Sequence, residues 1–221
     1  LLSLTGFITT SCENFENGKS INLFKQNSYV VKPKILAFAG STRIDSFNKK
    51  LVKIASAGAR DAGVDVTVID LRDFAMPLYD GDLEQRDGLP QNTRNLKDLM
   101  KSHQGFLISS PEYNSSITGV LKNTIDWASR QSEGEESLAC FKGKVAGIMS
   151  TSPGGLGGLR GLVHVRSILE NIGVLVIPEQ IAIAKAHEVF DTDGALKDKK
   201  QEEQVKKIGA NVSKLLIKLT S

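Results

Sequence analysis

From Lys34 to the end of the chain, short apolar runs rich in branched aliphatics alternate with longer segments of helical period. That alternation builds a parallel sheet covered by helices on both faces, because each crossover must return the chain to the same edge. Strands are expected at Ile35 to Ala39, Val64 to Ile69, Phe106 to Ser109, Val145 to Met149 and Val174 to Ile177. Four helical faces are read between and after them: Phe47, Leu51, Ile54 and Gly58; Ile117, Leu121, Ile125 and Ala128; Leu156, Leu159, Val163 and Ile168; Val205, Ile208, Val212, Leu215 and Leu219. A shorter helix is expected around Leu96, Leu99 and Met100, and its approach from Asp73 to Gln91 reads as loop, with Pro77, Gly81, Gly88 and Pro90.

This element order admits a flavodoxin-like α/β fold, a five-stranded parallel sheet of order 2-1-3-4-5 with helices on both faces. Ligands of such sheets sit beyond the carboxyl ends of the strands, near the point where strand order reverses. Chemistry is therefore expected in the loops after strands one, three and four.

Composition narrows the function classes. The 28 basic and 25 acidic residues are scattered along the chain, for a net charge of +3, so no nucleic-acid footprint is visible. Cys12 and Cys140 form no Cys-x-x-Cys pair, which leaves a disulfide scaffold, a zinc site and a dithiol centre without support. Redox chemistry must then come from a bound cofactor. Residues 1–32 lack an amphipathic period and read as an N-terminal extension, poorly ordered or non-native, with one domain over 33–221. No run approaches the roughly 20 apolar residues a membrane span needs, so a cytoplasmic protein is expected. The alternative is a lipid anchor at Cys12, which Thr10 and Ser11 fit poorly.

The loop after the first strand runs from Gly40 through Ser41, Thr42, Arg43, Ile44, Asp45 and Ser46 into Phe47 and Asn48. Backbone N–H groups, the positive end of a helix dipole, two hydroxyls and a guanidinium suit a phosphate. A capped turn with no ligand fits the loop equally well. It has no P-loop lysine and no Gly-x-Gly-x-x-Gly, which disfavours ATP and tightly held NAD and leaves a mononucleotide phosphate.

After the third strand come Pro111-Glu112-Tyr113-Asn114 and then Gly119-Val-Leu-Lys-Asn-Thr-Ile-Asp-Trp-Ala-Ser-Arg130; after the fourth, Ser152-Pro-Gly-Gly-Leu-Gly-Gly-Leu-Arg160. With Gly40-Ser-Thr-Arg43, these runs resemble the NADPH-dependent FMN reductase family, which includes quinone, chromate and azo-dye reductases. The resemblance extends from about Lys34 to the last helix. It implies that Ser41, Arg43, Ser46 and Asn48 bind the FMN phosphate, with Thr42 and Phe47 lining the turn. Pro111, Glu112, Tyr113 and Asn114 would edge the isoalloxazine, largely through backbone N–H groups, and Ser152, Gly154 and Gly155 would border the ring and ribityl chain. Ser115 stands where the family commonly has an aromatic, and Thr118 where it commonly has proline.

The implied activity is NAD(P)H-dependent reduction of small electron acceptors, such as quinones, azo compounds, metal oxyanions or flavin, by a ping-pong hydride mechanism. FMN is bound, NADPH or NADH is the co-substrate, and no residue is assigned nucleophilic or metal chemistry. An electron-carrier flavodoxin and a non-catalytic protein of the same fold are the alternatives; the first would favour an acidic docking surface, which this chain lacks. The resemblance implies a homodimer or homotetramer; Ile125 and Trp127 are expected to pack in a core or at a subunit interface, for which their helix is a plausible contact.

The remaining residues carry blander expectations. Glu112 reads as a solvated or capping carboxylate rather than a base, and Asp126 as a member of a local ion pair. Arg160 either attracts the extra phosphate of NADPH or is exposed. His103, His164 and His187 lie on separate elements without metal-ligand spacing. The run from Lys197 to Lys207 is the solvated face of the last helix.

Overall fold

A computed structural model describes residues 32–220. The reading of residues 1–32 as an extension, and of Cys12 as an anchor, therefore lies outside the described residues apart from Lys32. The five strands are β1 (Lys34–Ala39), β2 (Asp65–Val68), β3 (Gly105–Ser109), β4 (Val145–Thr151) and β5 (Leu175–Ile183). All neighbouring pairs are parallel, in the order β2-β1-β3-β4-β5, so the fold is flavodoxin-like. The helices are α1 (Phe47–Asp61), α2 (Gly81–Asp87), α3 (Gln91–Lys101), α4 (Gly119–Ala128), α5 (Leu159–Asn171), α6 (Ala186–Val189) and α7 (Lys199–Thr220), with one 3-10 turn at Leu71–Phe74.

Side-chain alternation along the central strands divides the core in two. Ile35, Ala37, Leu107, Val145 and Met149 pack against α1 and α7, while Leu36, Phe38, Phe106, Ile108, Ala146 and Ile148 pack against α3, α4 and α5. Both sets are fully apolar, as strands covered on both sides require. The helices α1 and α7 cross so closely that a Cβ at Gly58 would lie 2.1 Å from Lys206 O, and one at Gly209 would lie 1.9 Å from Ala55 O. Only glycine permits that contact, which sets the tilt of α1 over the sheet.

Three sequence expectations need correction. The segment from Asp73 to Gln91 contains α2, whose start is capped by Asp80 Oδ1 accepting from Asp82 N and Leu83 N. No α2 residue is buried, so it carries no apolar period to detect. The last strand continues six residues past Ile177, because a register shift opposite Ala146 and Ile148 lets this edge strand pass Pro178.

On α5 the buried face is Gly161, Leu162, Val165 and Leu169. Leu156, which precedes the helix, Leu159 and Val163 are 52%, 46% and 61% exposed, so the expected stripe is largely on the outside.

Of the two places expected for Trp127 and Ile125, a core or a subunit interface, both residues take the core. Trp127 is fully buried, donates its indole N–H to Pro77 O at 2.8 Å and meets Tyr79 edge-on at 5.0 Å; Ile125 is 5% exposed. A buried ion-paired group ties down the connection from α4 to β4: Lys97, its side chain 3% exposed, meets Glu135 at 2.7 Å and Ser132 Oγ at 2.9 Å. His103 is a satisfied core residue, between Leu99 O at 2.6 Å and Thr67 Oγ1 at 2.9 Å. Among the described residues there is no metal-binding cluster of His, Cys, Asp and Glu, and no helix long and apolar enough to cross a membrane.

Candidate active site

Three loops converge at the carboxyl edge of the sheet, and hydrogen bonds between them set their spacing. Gly40 N donates to Ser109 O at 2.9 Å, and Ser110 N donates to Met149 O at 2.8 Å, so the parallel ladder runs on into the loops. Thr118 Oγ1 accepts from Leu121 N at 3.2 Å, capping α4, and donates to Gly40 O at 2.7 Å. A proline there could make neither bond, so the departure at Thr118 fastens the first loop to α4.

Asn48 is the central fastener. Its Nδ2 donates to Thr151 O at 2.8 Å, and its Oδ1 accepts from Thr151 N at 3.1 Å and from Ser109 Oγ at 2.8 Å. The amide thus joins α1 to β3 and β4. Asn48 borders the cleft with its Oδ1 and one N–H of its amide bonded to protein partners, which leaves the second amide N–H to face a ligand.

The first loop leaves its donors open. The backbone N–H groups of Ser41, Thr42, Ile44, Asp45 and Ser46 have no acceptor among the described residues. Ser46 occupies the N-cap of α1 with φ −92° and ψ 124° but makes no side-chain cap bond, and the first turn contains no acidic residue. The positive helix end is therefore uncompensated. Arg43, whose side chain makes no ion pair or hydrogen bond among the described residues, lines the same cleft. Exposed donors, a dipole and an unpaired guanidinium in one place suit a phosphate group.

The third and fourth loops form the other wall. Asn114 and Ser115 have φ of 51° and 65°, and the turn they make is closed by Tyr113 N to Ser116 O at 2.9 Å and Ser116 N to Tyr113 O at 3.0 Å. An aromatic at position 115 would have to adopt this left-handed backbone, which favours small or polar residues. The N–H groups of Glu112 and Asn114 have no acceptor among the described residues.

Glu112 turns its carboxylate away from any base role. It accepts from Arg160 N at 3.1 Å and Gly161 N at 3.2 Å, and pairs with Arg160 Nη2 at 2.6 Å. Burial works to raise the Glu112 carboxyl, but the Arg160 guanidinium and the Gly161 N–H override it and hold it below its ordinary value. Glu112 caps α5 from a neighbouring loop, and Arg160 is half of that pair.

Gly157 and Gly158 allow the close turn into α5: their φ values are 62° and 89°, and a Cβ would lie 2.5 Å from Ile183 C and 1.9 Å from Ser150 Oγ.

The cleft is lined by Ser41, Arg43, Ser46, Phe47, Asn48, Pro111, Glu112, Tyr113, Thr151, Ser152 and Pro153. Nine of these residues are expected from the sequence. Thr151 and Pro153 are not, although both flank Ser152. Thr42 lies elsewhere, against Leu71, Phe74 and Val120. Asn114 sits at the tip of the turn, and Gly154 and Gly155 are exposed beside the cleft. The enclosed volume is about 90 Å³. Drug-sized ligands occupy roughly 300–1,000 Å³, so this cleft has room for a phosphate-sized group and not for a whole ring system.

The topology and cleft define a flavodoxin-like protein shaped to receive a phosphorylated ligand at the sheet edge. Residues 33–188 match the family described as NADPH-dependent FMN reductase. The chain is 33% identical over 178 residues to a probable NADPH:quinone oxidoreductase 2 of Oryza sativa subsp. japonica, covering 78% of this chain and 83% of that one. It is 33% identical over 173 residues to an NAD(P)H-dependent FMN reductase of Pseudomonas aeruginosa, covering 78% and 89%. Among solved structures, the flavoenzyme NAD(P)H:(acceptor) oxidoreductase FerB of Paracoccus denitrificans superposes with a TM-score of 0.69 at 30% identity, covering 82% of this chain and 96% of that one. The chain belongs to the NADPH-dependent FMN reductase family. It is an oxidoreductase that uses FMN and NAD(P)H.

Proposed function

We propose that the chain holds FMN in this cleft and passes reducing equivalents from NAD(P)H to quinones, with azo compounds, metal oxyanions and free flavin as further acceptors of the same site. The observation that carries the reading is the uncapped N-terminus of α1 and the loop before it, where five N–H groups have no acceptor among the described residues and Arg43 stands beside them. When bound, FMN would supply the hydride chemistry that links nicotinamide to acceptor in a ping-pong cycle.

The chain's own residues bind and orient. Ser41, Arg43, Ser46 and the first turn of α1 hold the phosphate. Pro111 to Asn114 would border the ring, where the Glu112 and Asn114 N–H groups could stabilise negative charge during reduction. Ser152 and Pro153 line the same cleft and would border the flavin as well. Asn48 and Glu112 keep these walls at fixed spacing, which hydride transfer needs more than it needs an acid or base.

A homodimer or homotetramer belongs to the same reading, supported by the exposed Leu159 and Val163 beside the cleft-lining Tyr113, which is 56% exposed. A cytoplasmic setting follows from the requirement for reduced nicotinamide.

The test is anaerobic titration of the FMN-loaded protein with NADPH while following flavin absorbance, then admitting a quinone. Bleaching followed by recovery is expected. Flavin that dithionite bleaches and neither nicotinamide touches would replace this reading with an electron carrier.

A further inference from the structure

Thr118 is buried at the N-cap of α4, and its hydroxyl serves two elements at once. Oγ1 accepts from Leu121 N, which finishes the helix, and donates its proton to Gly40 O, at the base of the loop before α1. The second bond spans 78 residues of sequence and does nothing for α4.

Gly40 is held from both sides. Its N–H donates to Ser109 O at 2.9 Å, and its carbonyl has the Thr118 hydroxyl as its one partner among the described residues. Gly40 is buried and rests directly on α4, since a Cβ there would lie 3.0 Å from Leu121 Cβ. A buried carbonyl without a donor is costly, so removing the hydroxyl favours rotation of that peptide plane.

The Gly40–Ser41 peptide is trans. In a planar trans peptide the carbonyl and the following N–H form one rigid unit and point in opposite directions. Holding Gly40 O against α4 therefore turns the Ser41 N–H away from that helix. This N–H is the first of the five in the loop with no acceptor among the described residues, and Ser41 lines the cleft with Arg43 and Ser46. The Ser41 hydroxyl in turn accepts from Arg43 N at 3.3 Å, so the setting of Ser41 is passed on to the turn that carries the guanidinium.

We propose that Thr118 is a positioning residue for the phosphate site: through Gly40 it aims the Ser41 N–H, and the turn behind it, at the phosphate of FMN. The inference rests on the reading of this loop as the phosphate site and adds which residue outside the loop sets its geometry. Thr118 touches no ligand. A hydroxyl that served only as the cap of α4 would support stability without regard to whether the flavin carries a phosphate.

Fluorescence titration of the flavin-free protein with FMN and with riboflavin separates the two roles. Thr118→Val keeps the shape and removes the hydroxyl; FMN binding should weaken about tenfold while riboflavin binding stays within about twofold of wild type. Thr118→Ser keeps both bonds and should restore the wild-type ratio. A second readout needs no variant: in the wild type the backbone amide resonance of Ser41 should move downfield on adding FMN and much less on adding riboflavin. If Thr118→Val weakens both flavins equally, or neither, the hydroxyl only caps α4 and the proposal is overturned. A Ser41 amide indifferent to FMN overturns it as well. Wild-type discrimination that Thr118→Val retains strikes the role of Thr118 alone, whereas equal wild-type affinity for the two flavins strikes the phosphate reading and the proposal with it.

Discussion

Two helix N-termini face the same sheet edge, and they are finished in opposite ways. At α5, Arg160 N and Gly161 N donate to the Glu112 carboxylate, Leu159 N donates to Leu156 O and Leu162 N to Gly158 O. At α1, Ser46 makes no side-chain cap bond, no acid stands in the first turn, and five N–H groups of the preceding loop have no acceptor among the described residues. One end brings its own anion and the other lacks one. A helix end left unsatisfied costs stability unless a ligand completes it, so the difference separates a structural joint from a binding site.

Reversing the charge at the open end should have the largest effect. Arg43→Glu is expected to weaken FMN binding about 100-fold, because a charge-assisted contact becomes a repulsion. Its side chain makes no ion pair or hydrogen bond among the described residues, so the melting temperature should barely move; flavin fluorescence titration and thermal melts read the two quantities. An affinity within a few-fold of wild type would show that α1 is not where the phosphate binds.

Giving α1 the finish of α5 is the second intervention. Ser46→Asp supplies an N-cap carboxylate, expected to stabilise the FMN-free protein by about 1 kcal/mol. In the same variant FMN affinity should fall roughly tenfold or more, as two anions compete for one helix end. Stability and affinity moving together would break the comparison.

Opening α5 is the converse and gives the smallest effect. Glu112→Gln should destabilise the fold by about 1 kcal/mol. A carboxyl held below its ordinary value of 4.5 contributes stability above that value, and loses it as pH falls through the folded-state value. The difference between wild type and Glu112→Gln should therefore be full at pH 7 and close on acidification below about 4.5. A gap independent of pH would mean that shape rather than charge secures this joint.

The sheet and its loop order were legible in the sequence because strands buried on both sides show as continuous apolar runs. The missed features lacked that signal. α2 has no buried residue, and β5 runs through a proline at an irregularity that no local pattern announces. α5 carries two apolar stripes, and periodicity alone does not say which meets the sheet; Leu162 and Val165 do, while Leu159 and Val163 do not.

The candidate site was legible at the level of loops, because element order places them at one edge. Side-chain direction was less so. Asn48 and Glu112 look like ligands by position, yet they also make bonds within the protein that their positions do not announce, and Thr42 lines a different space from its neighbours Ser41 and Arg43. Such choices depend on partners distant in sequence, as Asn48 shows by meeting Thr151.

The central claim is that the open end of α1 is a phosphate site, and comparing FMN with riboflavin tests it most directly. Fluorescence titration of the flavin-free protein should show FMN binding at least about 100-fold tighter than riboflavin, as expected for a phosphate that completes a helix end and a guanidinium. Equal affinity for the two flavins would contradict the account.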